Sequence, residues 1–455
     1  MEKIFQNGGK MKKYEILYDW PIEDTRRLSD SELAESYAAQ LDEPELSLFV
    51  ELTEKIRLLG ADLAKAKAER AHFTKWVEIR AYIEEFGKQF ISFPSPSVDK
   101  LRMSLLLAHK LSESSPPLDM TDIDADTFEI REITQPVPTK WFCRENSLSL
   151  SDSVALLTLS DFNVVANEIM ATNMSPNFLF HLLATLNVTP DLPSFQMIFV
   201  KKMNPQIDSM AIDAFARLAI LSTGKAVHSA RRYTNAPNIL NIDEIKPGVA
   251  YNQWNEILNV LSEYNSRDDT LLKFLTIYHV IENFMFKRPI VELEQKMNGS
   301  MFSIRDFQRL YDNVRTKEEV ALKSLFQEVF KMEALPRVKF KDHIVTRWKR
   351  LVPNVAKASI DNSINLIGLN FSFNSFNDKD ALPCFSQLIY RIRNTIVHNK
   401  ETEFHLTYAS LNMHPSLCSI IEDFALPCLE EICFSLISKP NQVFWYQNKE
   451  ICLYK

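Results

Sequence analysis

Apolar residues recur at helical spacing over most of this chain, and the places where that rhythm fails mark its divisions. Phe49, Leu52, Ile56, Leu59 and Leu63 follow three- and four-residue steps after Asp42 and Pro44, a capping residue and a proline suited to a helix start. The stripe predicts a long helix buried against a partner, simplest as a hairpin with Trp76 to Phe90 of the same chain. Tyr14 to Tyr18 reads as a short strand or a tail packed on the body. Pro94 and Pro96 break the helical block, a shorter helix is expected from Val98 to Leu111, and Ser112 to Pro117 reads as a linker.

From Thr127 the rhythm changes. Phe128, Ile130 and Ile133 stand among polar residues, and Phe195 to Val200 is a compact apolar run, so a few strands are expected. Asp152 to Asn167, Asn177 to Leu186 and Ile212 to Leu221 read as helices between and after them. Turn residues crowd from Asn235 to Gly248 and predict the main boundary. Beyond it the predicted helices are Thr270–Phe286, Ile304–Asn313, Lys317–Lys331, His343–Val352, Leu382–His398 and Pro415–Leu436, with Asn362 to Asp380 a loop before the fifth. The expected fold is mainly α: a helical region over 1–112, a mixed α+β region over 118–245 and an antiparallel helical bundle over 251–455.

Composition narrows the classes. With 46% apolar and 24% charged residues the chain is of ordinary globular type. No apolar run approaches a membrane span and the start lacks a signal-peptide core, so no membrane contact and a cytoplasmic location are expected. Cys143, Cys384, Cys418, Cys428, Cys433 and Cys452 include no Cys-x-x-Cys pair, and they read as reduced thiols. His405, His414, Cys418, Cys428 and Cys433 lie close in sequence but match no zinc spacing, so no metal is expected. Ser222 to Ala226 fails as a phosphate loop, because Ala219 stands where its first glycine belongs and Ala226 replaces the magnesium-binding hydroxyl. ATP or GTP hydrolysis is thereby rejected, and no cofactor is expected.

Charge is divided unevenly. Residues 1–250 carry 27 basic against 35 acidic residues, and 251–455 carry 25 against 24. The acidic half is a poor nucleic-acid binder. In the other half Arg337, Lys339, Lys341, Arg347, Lys349 and Arg350 form a basic stretch with Phe340 and Trp348 interleaved. Positive charge for phosphates and aromatic faces for unstacked bases would make it an RNA-binding surface. Alternatively it is a solvated helix face with two core aromatics.

The strongest candidate chemistry is the string Arg393-Asn394-x-x-x-His398, on a helix flanked by apolar Leu388, Ile389, Ile392, Ile396 and Val397. An Arg that is always charged, an Asn and a His that titrates near neutrality can together hold a phosphate and move a proton beside it. That is the chemistry of RNA cleavage. Arg391, Asn394, Thr395 and His398 share one helical face, which leaves both Arg391 and Arg393 open as the phosphate-holding residue. Upstream, Leu271 to Phe284 is an amphipathic helix carrying one acidic residue, Glu282.

This combination resembles the HEPN superfamily, most closely its Apea-like domains, over roughly the last 200 residues. The motif string is its most specific part, and the Tyr278 to Glu282 helix is secondary. The resemblance implies an HEPN-like bundle acting as a metal-independent endoribonuclease, with Arg393, Asn394 and His398 catalytic. It also implies a homodimer in which two motifs meet in one composite site, and a toxic effector role in antiviral abortive infection. The RNA 2′-hydroxyl would attack the adjacent phosphate, with His398 moving a proton, Arg393 stabilising developing charge and Asn394 orienting them. Glu282 would support the site by pairing with Arg393 or Arg391. Residues 1–250 would sense a trigger, or meet an inhibitor, and restrain the site.

The alternative reading is a catalytically inactive HEPN scaffold that binds RNA or a partner protein, and a further one is a helical adaptor whose resemblance is accidental. Control by nucleotide transfer onto a Tyr two residues beyond the motif His is not expected, because Lys400 stands there. Nothing in the pattern names the RNA target.

Overall fold

The computed structural model describes residues 10–93, 98–114, 120–124, 127–133, 136–146, 150–159, 162–189, 196–202, 209–233, 245–297, 303–305, 308, 311, 317–398 and 404–446. Pro94, Pro96, the 115–117 end of the expected linker, Asn235 to Asn238, most of Ile304–Asn313, Lys400 and Cys452 lie outside them. The protein is mainly helical with a small antiparallel sheet, and it divides into two compact units, Met1–Val227 and His228–Lys455.

In the first unit β1 (Lys10–Lys12) leads into α1 (Lys13–Ser29), α2 (Glu32–Ala38), α3 (Glu43–Glu69), α4 (Trp76–Gln89) and α5 (Val98–Ser114). Tyr14 to Tyr18 therefore lies in a helix, not a strand or tail, and Ile16, Leu17 and Tyr18 are buried on it. α3 begins where Asp42 accepts the Glu45 N–H at 3.0 Å, and it ends at Arg70 with φ 54°. Its apolar stripe packs on α1 as well as on α4, so the expected hairpin has a third member. Gly60 permits the approach of α1, since a Cβ there would stand 2.7 Å from Thr25 Oγ1.

The same core continues into the mixed region. β2 (Asp122–Asp124) pairs with β1, setting Asp124 opposite Lys10 and Asp122 opposite Lys12. β3 (Phe128–Glu132), β4 (Phe142–Arg144), β5 (Val154–Thr158) and β6 (Gln196–Lys201) form an antiparallel sheet in the order β3-β6-β5-β4. α6 (Phe162–Ala171) and α7 (Pro176–Val188) share a core with one sheet face, through Ala155, Leu157, Met197 and Phe199. α8 (Ser209–Leu221) covers the other face, where Val154, Leu156, Ile198 and Val200 meet Ile212, Ala216 and Ile220. This corrects the expected helix over Asp152 to Asn167: its first half is β5, buried on both faces. Such a strand shows a continuous apolar run with no alternation, and periodicity cannot tell it from a buried helix.

The second unit contains α9 (Asn255–Ser266), α10 (Thr270–Met297), α11 (Glu318–Val329), a hairpin of β7 (Glu333–Leu335) and β8 (Val338–Lys339), α12 (Phe340–Lys349), α13 (Lys357–Leu366), α14 (Ala381–Val397), α15 (Tyr408–Met413), α16 (Pro415–Ser419) and α17 (Leu426–Ser438). A π-helical segment, Ile420–Ala425, joins the last two. One apolar core runs from Tyr233 to Trp445. Within it Glu430 is 1% exposed and accepts hydrogen bonds from Tyr264 and Tyr233. The bundle is not antiparallel throughout. Tyr278 meets Glu318 and Arg288 meets Glu328, so α10 and α11 run in the same direction. α14 runs against α11, with Arg393 at Glu318 and Phe385 at Phe326.

Candidate functional site

α14 owes its orientation to Cys384, Phe385, Leu388, Ile389 and Ile392, which are all buried. Thr395, Ile396 and Val397 crowd its last turn with β-branched side chains, which disfavour helix. The helix stops at His398, whose backbone N–H bonds the Asn394 carbonyl at 2.8 Å, while Leu406 N–H takes the Thr395 carbonyl at 2.8 Å. This ending places the polar string at the tip of the helix.

The two candidate arginines part there. Arg391 turns back, donating from Nε to the Ile367 carbonyl and lying against Gly368. It ties α14 to the loop after α13. Arg393 instead lies among three helices. Its Nη1 donates to Asn394 Oδ1 at 3.0 Å, Nη2 is 3.5 Å from Glu282 Oε1, and Nε is 3.6 Å from Glu318 Oε1. The Tyr278 ring underlies the guanidinium, with Cζ 5.7 Å from its centroid. Glu282 thus pairs with Arg393 and not with Arg391. Both carboxylates stand beyond good hydrogen-bond length, so the guanidinium is flanked by negative charge without being forked onto it.

Glu318 is the member that sequence reasoning missed. It lies in the first turn of α11 beside Glu319, where acidic residues are ordinary complements to the helix dipole. Only the approach of α10 and α14 distinguishes it. Tyr278, which donates its hydroxyl to Glu318 at 2.7 Å, has its phenol pKa pushed well up by burial and by that carboxylate. His398 is exposed, and its ring makes no hydrogen bond among the described residues. Arg393, Asn394 and Glu282 are therefore brought together, with His398 on the same helix end but not bonded to them.

Of the two readings of the basic stretch, the structure bears out the helix face with two core aromatics and not the stacking platform. Phe340 and Trp348 are core residues, 1% and 0% exposed, and Trp348 stacks on Phe373 and Phe376 while its indole N–H bonds the Phe373 carbonyl at 3.0 Å. Neither can meet a base. Arg347 is committed to Glu431, which also takes His343 Nε2 at 2.7 Å. Arg337, Lys339, Lys349 and Arg350 are exposed and Lys341 is half-buried. Arg337 sits at φ 66° in the β7–β8 turn. What survives is a set of exposed basic side chains with no exposed aromatic of the stretch among them.

Cys384, Cys418, Cys428 and Cys433 are buried, and burial pushes the Cys384 thiol up to about 11 and Cys418 to about 12. No group of three or more His, Cys, Asp or Glu side chains suited to a metal ion occurs among the described residues, and no helix among them is long and apolar enough to cross a membrane. Comparisons of the chain with family models, with curated proteins and with solved structures return no match.

Proposed function

We propose that the C-terminal unit is a metal-independent endoribonuclease of HEPN type. The observation that carries this reading is the tip of α14: Arg393 is bonded to Asn394 and flanked by Glu282 and Glu318 from two other helices, and His398 lies exposed at the end of the same helix. In this reading Arg393 exchanges its carboxylate neighbours for the scissile phosphate and stabilises the charge that develops as the 2′-oxygen attacks. Asn394 holds the guanidinium in register. His398 moves a proton, and the other proton transfer falls to the His398 of a second copy, since one imidazole serves poorly as both acid and base. The RNA supplies the nucleophile, so the step ends in 2′,3′-cyclic phosphate and 5′-hydroxyl products. The setting proposed is a toxic effector of antiviral abortive infection, restrained or triggered through the N-terminal unit.

A second reading, an inactive scaffold that binds RNA or a protein, is favoured by the same pair of carboxylates, because they already neutralise Arg393. One experiment separates the two. Purified protein is incubated with mixed cellular RNA in EDTA, alongside Arg393→Ala and His398→Ala, and product ends are mapped. Cutting with cyclic phosphate ends, abolished by both substitutions, supports the ribonuclease. RNA binding that survives both without cutting supports the scaffold.

A further inference from the structure

We infer that Arg80, Arg102 and His109 of the N-terminal unit form a binding site for a small phosphate-bearing anion. The site lies where α4 packs on α5, independent of the α14 motif. Arg80 Nη1 approaches His109 Nδ1 at 3.2 Å. That contact makes Nδ1 the acceptor, so His109 is neutral with its proton on Nε2, which faces Glu113 at 3.6 Å. Arg102 stands over the Phe162 ring, with Cζ 4.3 Å from the centroid, and reaches Asp99 at 3.2 Å and Glu84 at 3.9 Å. Glu84 is itself engaged by Lys88 at 2.8 Å.

These partners leave the cluster under-compensated at one point. Arg102 has its carboxylate and its aromatic face, but Arg80 makes no ion pair among the described residues. The Nε atoms of both arginines are buried without a hydrogen-bond partner. Burial pulls the Arg80 pKa down, with the Glu84 carboxylate opposing that shift and the Arg102 charge adding to it, and burial lowers His109 likewise, against Glu113 and with Arg80. A half-buried guanidinium whose nearest partner is a neutral imidazole, and whose nearby carboxylate, Glu84, is engaged by Lys88 and Arg102, costs stability. An oxyanion seated among the three groups would reverse that cost. Two guanidinium forks suit a tetrahedral phosphate, which carries more than one charge and several acceptor oxygens, and His109 joins them by turning its Nε2–H from Glu113 to the anion. The His109 and Arg102 side chains remain 16% exposed and Arg80 is half-buried, so an anion would approach from this exposed edge.

The test uses the full chain, titrated by calorimetry and thermal melting with inorganic phosphate and with adenosine monophosphate, sodium chloride balancing ionic strength. Saturable binding of either probe is expected; binding of the nucleotide alone places the anion on a nucleotide. Arg80→Met should weaken that binding by roughly tenfold or more, and without ligand should leave the melting temperature unchanged or raised. His109→Gln, which keeps an acceptor for Arg80, should weaken binding by a smaller factor. The site is overturned if neither probe binds the parent saturably, if Arg80→Met binds as tightly, or if that variant melts several degrees lower without ligand. The last result would make Arg80 a structural group.

Discussion

Tyr278 donates its hydroxyl to Glu318 at 2.7 Å, and the same oxygen of that carboxylate stands 3.6 Å from Arg393 Nε. A buried phenol thus fixes the direction of a charge beside the candidate phosphate-binding residue. Tyr278→Phe removes one hydrogen bond to a charged acceptor and little volume, so the expected loss is about 1–2 kcal/mol of stability in urea denaturation. An unchanged midpoint would mean that Glu318 finds an equal partner elsewhere.

Glu318→Gln keeps an acceptor for Tyr278 but removes one of the two negative charges facing Arg393. If Arg393 takes the RNA phosphate, that charge competes with the substrate. RNA affinity, measured by anisotropy in a His398→Ala background that prevents cleavage, should then rise by roughly threefold to tenfold. Equal or weaker affinity would remove Arg393 from the phosphate.

Arg393→Ala and His398→Ala should differ in stability even where both abolish activity. His398 is exposed and its ring unbonded among the described residues, so its removal should stay within about 0.5 kcal/mol. Arg393→Ala removes the cation that Glu282 and Glu318, both half-buried, flank, and should cost about 1–2 kcal/mol. A large loss for His398→Ala would point to a structural role for that ring.

What could be read in the chain differs from what could not in one physical respect. The period of Leu388, Ile389 and Ile392 gave the buried face of α14, and the β-branched run before His398 is consistent with its end. The pairing of Glu282 with an arginine of the motif was accessible only through the family resemblance, since a helix pattern shows no contact between helices. Which arginine it meets was not, because Arg391 is claimed by a backbone carbonyl after α13, in a stretch whose fold no periodicity describes. Glu318, the Glu431 partner of Arg347, and the burial of Trp348 share this property. Each depends on which helix faces which, and a one-dimensional pattern reports only the face a helix turns inward. β5 was misread for the complementary reason: a neighbour on both faces erases the alternation that identifies a strand.

Gly368 offers a test of the Arg391 anchor. It closes α13 at φ +80°, with its N–H on Asn365 O at 2.9 Å and the Leu369 N–H on Ile364 O at 3.1 Å. A Cβ there would stand 2.6 Å from Arg391 Nη2. Gly368→Ala therefore adds left-handed strain to displacement of the guanidinium, for an expected loss of about 2 kcal/mol. Arg391→Ala should reduce that penalty by relieving the contact, and a double-mutant cycle in denaturant reads the difference. Strict additivity of the two substitutions would show that the contact carries no energy.

Lys287 makes a prediction about pH. Its side chain is buried, 4% exposed, with Nζ 3.4 Å from the Trp254 ring centroid and donating to the Gln253 carbonyl at 3.1 Å. Burial pulls its pKa down to about 7, against about 10.4 in an unfolded chain. Between those values the unfolded chain binds more protons than the folded one, so this residue makes stability rise with pH over that window. Below about pH 7 both states are charged and the cost of the buried ammonium is fully present. Lys287→Met, apolar and of similar length, should thus be more stable than the parent at pH 7, by roughly 2 kcal/mol or more. The advantage should shrink steadily toward pH 10. Chemical denaturation of parent and variant at pH 7, 8 and 9 isolates the effect, because every other titration is common to both. A variant less stable at pH 7, or a difference that does not change with pH, would show that the folded protein keeps Lys287 charged across the whole range.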